Sequence, residues 1–342
     1  MRILIATDAW EPQVNGVVRT LQNTTSCLDS LGHKVRVISP DNFWSIPCPT
    51  YPEIQLAWGI APVGKMIRDF EPDAIHITTE GPVGLAARTW CVLNDFPFTT
   101  CFTTKFPEYI SVRLPISSEL SYSYFKWFHS GAASTMVATP SMERELAHQG
   151  FQNLKRWSRG VDVDLFNPWK PFMEIGESPV SLYVGRVAVE KNLRAFLDLD
   201  IPGSKVVVGD GPDLKHLKGD YPEALFAGPL FGDDLSLFYA NADVFVFPSK
   251  TDTFGIVMLE AMSSGLPVAA YNVTGPKDVV KDGVTGCLND DLGEAIRGAL
   301  RLDGRVCRDH AVMNSWQAAT GQFLSNLSFS DFFSSRIQPR AV

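Results

Sequence analysis

Two acids stand eight positions apart in the stretch FVFPSKTDTFGIVMLEAMSSGLPVAA, residues 245–270: Asp252 and Glu260. A β-rich run at Val244–Phe247 breaks at Pro248-Ser249, an apolar run predicts a helix over 254–264 that stops near Gly265, and a second strand follows Pro267. With about 1.5 Å of rise per residue, the two carboxyls would lie roughly 12 Å apart along the axis, with the loop and the helix start between them. Free amides and the positive end of the dipole draw phosphate to a helix N-terminus. The segment can therefore hold a polyhydroxylated group at Asp252, a diphosphate at Phe254, Gly255 and Ile256 after Thr253, and a ribose at Glu260, which together describe a nucleotide-sugar. On spacing alone, a solvated loop Asp and an exposed helix Glu fit equally well.

The string resembles the acid, seven residues, acid signature of retaining glycosyltransferases of family 4, and the following A-M-S-S-G-L-P-V matches the family pattern as a run. In that family the first acid is usually Glu in E-x-F-G, whereas here Asp252 in D-T-F-G is one carbon shorter. The resemblance implies an α/β chain of the GT-B fold, with two Rossmann-like domains facing each other across a cleft. It makes Gly185-Arg186 through Lys191-Asn192 similar to the family's pyrophosphate clamp, with Arg offering forked donors and Lys a point charge. Gly209 and Leu230, at two strand ends, match positions that frame the nucleotide base in relatives. Gly16 matches a glycine loop that meets the donor diphosphate. The F-H-T of relatives reads Phe102-Thr103-Thr104 here, so no imidazole is carried over to that place. Thr103 can still donate a hydrogen bond but does not titrate near neutral pH. Thr103, Lys105 and Glu80 are the acceptor-side candidates, and none of the histidines at 33, 76, 129, 148, 216 and 310 presents itself as a replacement.

The elements that must position these residues alternate as α/β units. A strand at Ile3–Thr7, a helix over 17–31 after Asn15-Gly16, and a strand at 35–39 open the chain. A Pro-, Trp- and Tyr-rich loop over 41–62 carries one short strand at 54–57. Glu80-Gly81-Pro82 stands at the carboxyl end of the strand 74–78, where open α/β sheets keep their ligands; an ordinary charge before a helix is the other reading. Residues 106–128 are aromatic-rich, with Arg113 and Lys126 among Tyr122, Tyr124, Phe125, Trp127 and Phe128. They read either as an apolar lip for a lipid-linked acceptor at a membrane surface or as the filling of the first domain's core. The expected division is a first domain over 1–165, a Pro-rich linker over 166–178, a second domain over 179–324 and a loosely held tail over 325–342. Closing helices are expected over 291–302 and 306–324, with Trp316 in a helix that crosses back to the first domain.

At 342 residues the chain suits two domains, and 45% hydrophobic with 20% charged residues fits a globular protein. The formal charge of −8 argues against nucleic acid, which wants a basic footprint. Residues 1–165 carry 14 Lys and Arg against 16 Asp and Glu, leaving 16 against 22 for the remainder, so the proposed acceptor half is the less acidic. The six cysteines, at 27, 48, 91, 101, 287 and 307, form no C-x-x-C pair and no zinc spacing, and read as reduced thiols of a cytoplasmic protein. No apolar run has the length to span a bilayer, and the first strand begins directly after Met1-Arg2.

The resemblance thus implies a retaining, metal-independent hexosyltransferase that uses GDP-mannose or a UDP-hexose and needs no cofactor. Its acceptor would be a lipid such as diacylglycerol or a lipid-linked glycan, reached by peripheral contact with the membrane. Arg186, Lys191 and Asp252 are the expected catalytic residues. A nucleotide-sugar epimerase of the same architecture and a non-catalytic nucleotide-sugar binder are the competing readings.

Overall fold

The computed structural model describes residues 1–13, 15–48, 51–103, 118–252 and 254–333. The chain forms two compact units, Met1–Ser158 with Ala319–Val342, and Arg159–Ala318.

The first unit is built on a six-stranded parallel sheet of order β2-β1-β5-β6-β7-β8. Its strands are β1 (Arg2–Ala6), β2 (Lys34–Ile38), β5 (Ala74–Ile77), β6 (Phe98–Phe102), β7 (Ser134–Val137) and β8 (Leu154–Arg156). Side chains alternate across a strand, so Leu4 and Ala6 enter one apolar cluster with Ile75, Ile77 and Phe98, while Ile3 and Ile5 enter another with Met136, Trp157 and Phe323. Both faces are covered, as a parallel sheet requires. Between β2 and β5 the chain makes an antiparallel pair, β3 (Trp44–Cys48) with β4 (Tyr51–Trp58), where the sequence pointed to one short strand.

The second unit repeats the plan with β9 (Ser181–Val184), β10 (Lys205–Val208), β11 (Leu225–Gly228), β12 (Val244–Phe247), β13 (Val268–Ala270) and β14 (Gly286–Leu288), in the order β11-β10-β9-β12-β13-β14. Leu182, Val184, Phe245 and Phe247 point into one layer, and Tyr183, Val244 and Val246 into the other. In each sheet the strand order reverses at one point, between β1 and β5 in the first and between β9 and β12 in the second. The carboxyl ends of such strands are where a doubly wound sheet opens a ligand crevice.

Three expected boundaries are corrected. The division falls at Ser158/Arg159 and not at 165, and residues 166–178 belong to the second unit, whose core takes in the buried Phe166 and Ile175. The single helix expected over 306–324 is two, Gly304–Val312 and Trp316–Asn326, because the Asn314 carbonyl accepts the Val161 amide and Ser315 bridges to Val161. The Trp316–Asn326 helix begins in the second unit and, from Ala319, belongs to the first. Residues 325–333 are no loose tail: the Ser330 amide donates to the Asp73 carbonyl, and Phe332 and Phe333 lie against Trp90 and Phe96.

Candidate active site

In the second unit the loops that leave β9 and β12 are tied to each other. The first runs from Gly185 through Arg186 into a short 3-10 turn at Val189–Lys191, and the second from Pro248 to Gly255. Lys191 Nζ lies 2.6 Å from Asp252 Oδ1, with the two side chains 21% and 20% exposed. Asn192, in the left-handed region at φ 56°, donates through Nδ2 to the Pro248 carbonyl at 3.1 Å, and Thr251 Oγ1 donates to the Glu190 carbonyl at 3.5 Å. An ion pair and two hydrogen bonds thus set the cation and the acid at the point where the strand order reverses.

Asp252 is only half used by the protein. Its Oδ2 is buried with no hydrogen-bond partner among the described residues. A buried acceptor left in that state costs about 1–3 kcal/mol. The loop itself is held from behind. Gly275, at φ 95°, lies so close that a Cβ there would come within 2.5 Å of the Asp252 carbonyl oxygen.

Arg186 is partly buried, and its carbonyl accepts the Tyr183 hydroxyl at 2.7 Å. The adjoining strand ends pack backbone on backbone. At Gly209, φ 141°, a Cβ would sit 1.8 Å from the Gly185 carbonyl oxygen, and the Gly209 amide donates to the Gly228 carbonyl at 2.8 Å. Leu230, two residues beyond β11, is partly buried against the core.

The predicted helix is Ile256–Ser263, with Gly255 as its N-cap and Phe254 partly buried before it. Glu260 is 3% exposed, not the solvated helix charge that spacing alone allowed. Its Oε2 accepts the hydroxyl of Tyr239, a fully buried residue of the Gly232–Ala240 helix, at 3.0 Å. Sequence reasoning passed over Tyr239, which is 21 positions away in another helix and carries no local signal.

In the first unit the equivalent reversal, between β1 and β5, gathers a second set of polar groups. Asp8, just past β1, is buried: its Oδ1 accepts the Val83 amide at 2.8 Å, and its Oδ2 accepts the Thr79 hydroxyl at 2.8 Å and the Gly84 amide at 3.3 Å. Asp8 thereby caps, from another strand, the Pro82–Leu93 helix whose own N-cap, Gly81, offers no side chain. Burial pushes the Asp8 carboxyl above its ordinary value, against the pull of those hydrogen bonds. A carboxyl directly after the first strand is a signal the sequence does carry.

Glu80 is the candidate that changes most. Its side chain is 7% exposed, and Oε1 lies 3.2 Å from Nε2 of His129, which is 2% exposed. No histidine presents itself from the sequence as a replacement for the one missing at Thr103; the Ser118–Ser130 helix brings His129 to Glu80. Tyr124 on the same helix donates to the Glu80 carbonyl at 2.8 Å. Within the described part of the aromatic run, Phe125 and Phe128 are buried in the core, and Leu120, Tyr124 and Trp127 are exposed by 66%, 40% and 50%. Arg88 donates to the Trp127 and Phe128 carbonyls, fixing the end of that helix.

Of the remaining candidates, Gly16 begins the first helix, and the amides of Val17 and Val18 behind it are taken by the Asn15 side chain. Thr103 follows β6 and is partly buried. Lys105 and Thr253 lie outside the described residues. Among the described residues, no three His, Cys, Asp or Glu side chains form a group that could hold a metal ion, and no helix is long and apolar enough to cross a membrane.

Two Rossmann-like domains, each with polar groups at its strand reversal, define the GT-B class of glycosyltransferases. The second domain matches the family model described as glycosyl transferases group 1 over residues 178–302, and the first matches Glycosyltransferase Family 4 over residues 14–165. The chain is 31% identical over 354 residues to the sulfoquinovosyl transferase SQD2 of Arabidopsis thaliana, covering 90% of this chain and 69% of that protein. It is 30% identical to a GDP-mannose-dependent alpha-mannosyltransferase of Mycobacterium tuberculosis, covering 84% and 83%, and 26% identical to the alpha-monoglucosyldiacylglycerol synthase of Acholeplasma laidlawii, covering 88% of each. The fold of sucrose-phosphate synthase from Thermosynechococcus elongatus superposes with a TM-score of 0.74 over 95% of this chain and 97% of that one, at 19% identity. The chain belongs to glycosyltransferase family 4 and is a hexosyltransferase of that family.

Proposed function

We propose that the protein transfers a hexosyl group, with retention of configuration and without a metal ion, from GDP-mannose or a UDP-hexose to a hydroxyl of diacylglycerol or a lipid-linked glycan. The observation that carries this reading is Asp252: one oxygen holds Lys191, and the other is a buried acceptor without a partner among the described residues. Sugar hydroxyls are the donors such an oxygen lacks. With Asp252 Oδ2 on the sugar, we assign the diphosphate to Arg186 and to Lys191, which stays paired with Asp252 Oδ1. As the anomeric carbon–oxygen bond lengthens, negative charge grows on the departing diphosphate, and two cations placed beforehand stabilise it. A phosphate oxygen of that leaving group takes the proton from the acceptor hydroxyl as the new bond forms on the same face. Thr253, Phe254, Gly255 and Ile256 supply the helix start for the diphosphate, Glu260 meets the ribose, and Gly209 and Leu230 frame the base. We assign Gly16 to donor binding and Glu80, Thr103 and Lys105 to the acceptor.

The lipid acceptor rests on two supports. One relative is an alpha-monoglucosyldiacylglycerol synthase, and Leu120, Tyr124 and Trp127, spaced to share a helix face, are exposed, with the Tyr124 hydroxyl on the Glu80 carbonyl. With free thiols at Cys27, Cys91, Cys287 and Cys307, we place the reaction in the cytoplasm, at the membrane's inner face.

The test begins with thermal-shift measurements against GDP- and UDP-sugars, since a ligand that binds the folded chain alone raises its melting temperature. The best donor is then incubated with diacylglycerol micelles and with membrane lipid extract, and the anomeric proton of the product is read by NMR. A glycolipid with the donor's anomeric configuration is expected. Consumption of donor with no acceptor present would favour an epimerase, and binding without turnover on any acceptor a non-catalytic binder.

A further inference from the structure

Glu80 does not stand alone at the end of β5. Its partner His129 has both ring nitrogens engaged: Nε2 lies 3.2 Å from Glu80 Oε1, and Nδ1 lies 2.9 Å from the Thr100 hydroxyl on β6. That hydroxyl is in turn 3.0 Å from the Thr135 hydroxyl on β7, the residue paired with Thr100 in the parallel ladder. The direction of this chain follows from the donor inventory. A carboxylate only accepts, so Nε2 carries the proton toward Glu80; in the neutral ring Nδ1 then accepts from Thr100, and Thr100 accepts from Thr135. The carboxylate thus sets the direction of the chain, two threonines held in the sheet anchor the far ring nitrogen, and the imidazole holds one oxygen of the carboxylate.

The other oxygen is unspent. Glu80 Oε2 makes no hydrogen bond among the described residues, although the side chain is 7% exposed. The backbone behind it is held by the Tyr124 hydroxyl on the Glu80 carbonyl and by Asp8, whose carboxyl binds the amides that follow at Val83 and Gly84. The result is a carboxylate locked in one orientation, with one lone-pair face presented at the strand reversal of the first domain.

We infer that Glu80 Oε2 accepts the hydrogen bond of the acceptor hydroxyl that is to be glycosylated, and that His129 is the positioning residue that holds Glu80 for it. This rests on the transferase reading given above and assigns its acceptor subsite. The hydroxyl's single proton points to Glu80 Oε2 in the resting complex and turns to an oxygen of the departing diphosphate as the anomeric bond breaks, so the carboxylate ends the transfer unprotonated and the diphosphate carries the proton. Recognition depends on a hydroxyl donor and a fixed acceptor oxygen, and an acceptor whose hydroxyl is replaced by hydrogen would lose it.

The experiment uses the full-length enzyme with its best thermal-shift donor and an acceptor it turns over, either diacylglycerol in mixed micelles or membrane lipid extract. Three variants are compared: His129→Phe keeps the ring volume and loses both nitrogens, His129→Gln keeps an N–H donor, and Glu80→Ala removes the carboxyl. His129→Phe is expected to raise the acceptor KM by about tenfold, the loss that follows from one misplaced hydrogen bond, while the donor KM moves less than about twofold. His129→Gln should recover most of that loss. In the Glu80→Ala background, His129→Phe should add nothing further to the acceptor KM, because a residue acting through another is silent once that other is gone. Melting temperature and the donor-induced shift report whether each variant is folded. Equal losses for Phe and Gln, or an effect of His129→Phe that persists undiminished in the Glu80→Ala background, would overturn the assignment. A wild-type enzyme with no acceptor-dependent release of nucleoside diphosphate refutes the transferase reading instead, and the assignment falls with it.

Discussion

Replacing Tyr239 by Phe removes the hydroxyl that donates to Glu260 of the Ile256–Ser263 helix and lies 3.5 Å from the Val257 carbonyl. The phenol donates to Glu260 Oε2 at 3.0 Å, and both residues are enclosed, at 0% and 3% exposure. The ring itself would be kept, along with its edge-on contact to Phe166 at 5.5 Å and its packing on Phe245 at 5.8 Å, so no cavity term enters. What is lost is a hydrogen bond to a carboxyl that cannot turn to water instead, worth about 1–3 kcal/mol. The unit concerned, Arg159–Ala318, is of a size at which each kcal/mol moves the melting temperature by about 2–4 °C, so a fall of about 4–8 °C is expected for the middle of that range. If Glu260 also meets the donor ribose, its loss of orientation should weaken donor binding by about tenfold. Differential scanning calorimetry reads the first quantity and titration calorimetry with the nucleotide-sugar the second. A melting temperature unchanged within about 1 °C would refute the energetic argument. A lowered melting temperature with donor affinity intact would keep the bond as a structural one and remove Glu260 from the donor site.

Other outcomes follow from the same geometry. Gly209→Ala puts a methyl into the Gly185 carbonyl oxygen at a φ that disfavours any side chain, and should cost more than about 2 kcal/mol of stability and weaken nucleotide binding together. A variant with wild-type chemical denaturation would contradict the close approach of β9 and β10. Asp8 holds its proton more tightly in the folded chain than in the unfolded one, so its contribution to stability is full below the unfolded pKa near 3.8 and is lost as pH rises through the folded value. Melting temperature against pH should therefore show a falling component above about pH 4 that Asp8→Asn lacks, and parallel curves for the two proteins would contradict that shift. Because Arg186 and Lys191 are assigned the leaving-group charge, excess EDTA should leave turnover within about twofold of its untreated value. Loss of activity restored by Mg²⁺ or Mn²⁺ would overturn that assignment.

Local strings carried much of the architecture and of the donor side. Short, mostly continuous apolar runs mark β1 and β9 through β14, and the G-R-x-x-x-E-K-N and D-T-F-G strings place Arg186, Lys191 and Asp252 on loops at strand ends without any tertiary information. What those strings could not convey is contact between them: Lys191 and Asp252 are 61 positions apart and meet only because β9 and β12 are neighbours. Glu80 and His129 are likewise 49 positions apart, and the histidine sits in a run of aromatic residues that reads as core filling. The second strand of the Trp44–Trp58 hairpin pair was visible and the first was not, since Pro and Trp disrupt its alternation. The break between the last two helices is imposed by the Val161 backbone, and the docking of Phe332 and Phe333 by Trp90, both contacts over long sequence separation.

The central claim is that the positive groups held at the β9–β12 reversal act on the leaving diphosphate, and Lys191→Ala tests it most directly. Turnover should be measured as release of nucleoside diphosphate at saturating donor and acceptor, beside the donor dissociation constant for the same preparation. The account predicts a fall in kcat of about 10²–10³, the cost of removing one preorganised group from a developing anion, with donor affinity changed far less. An unchanged kcat, or a loss confined to donor affinity, would contradict it.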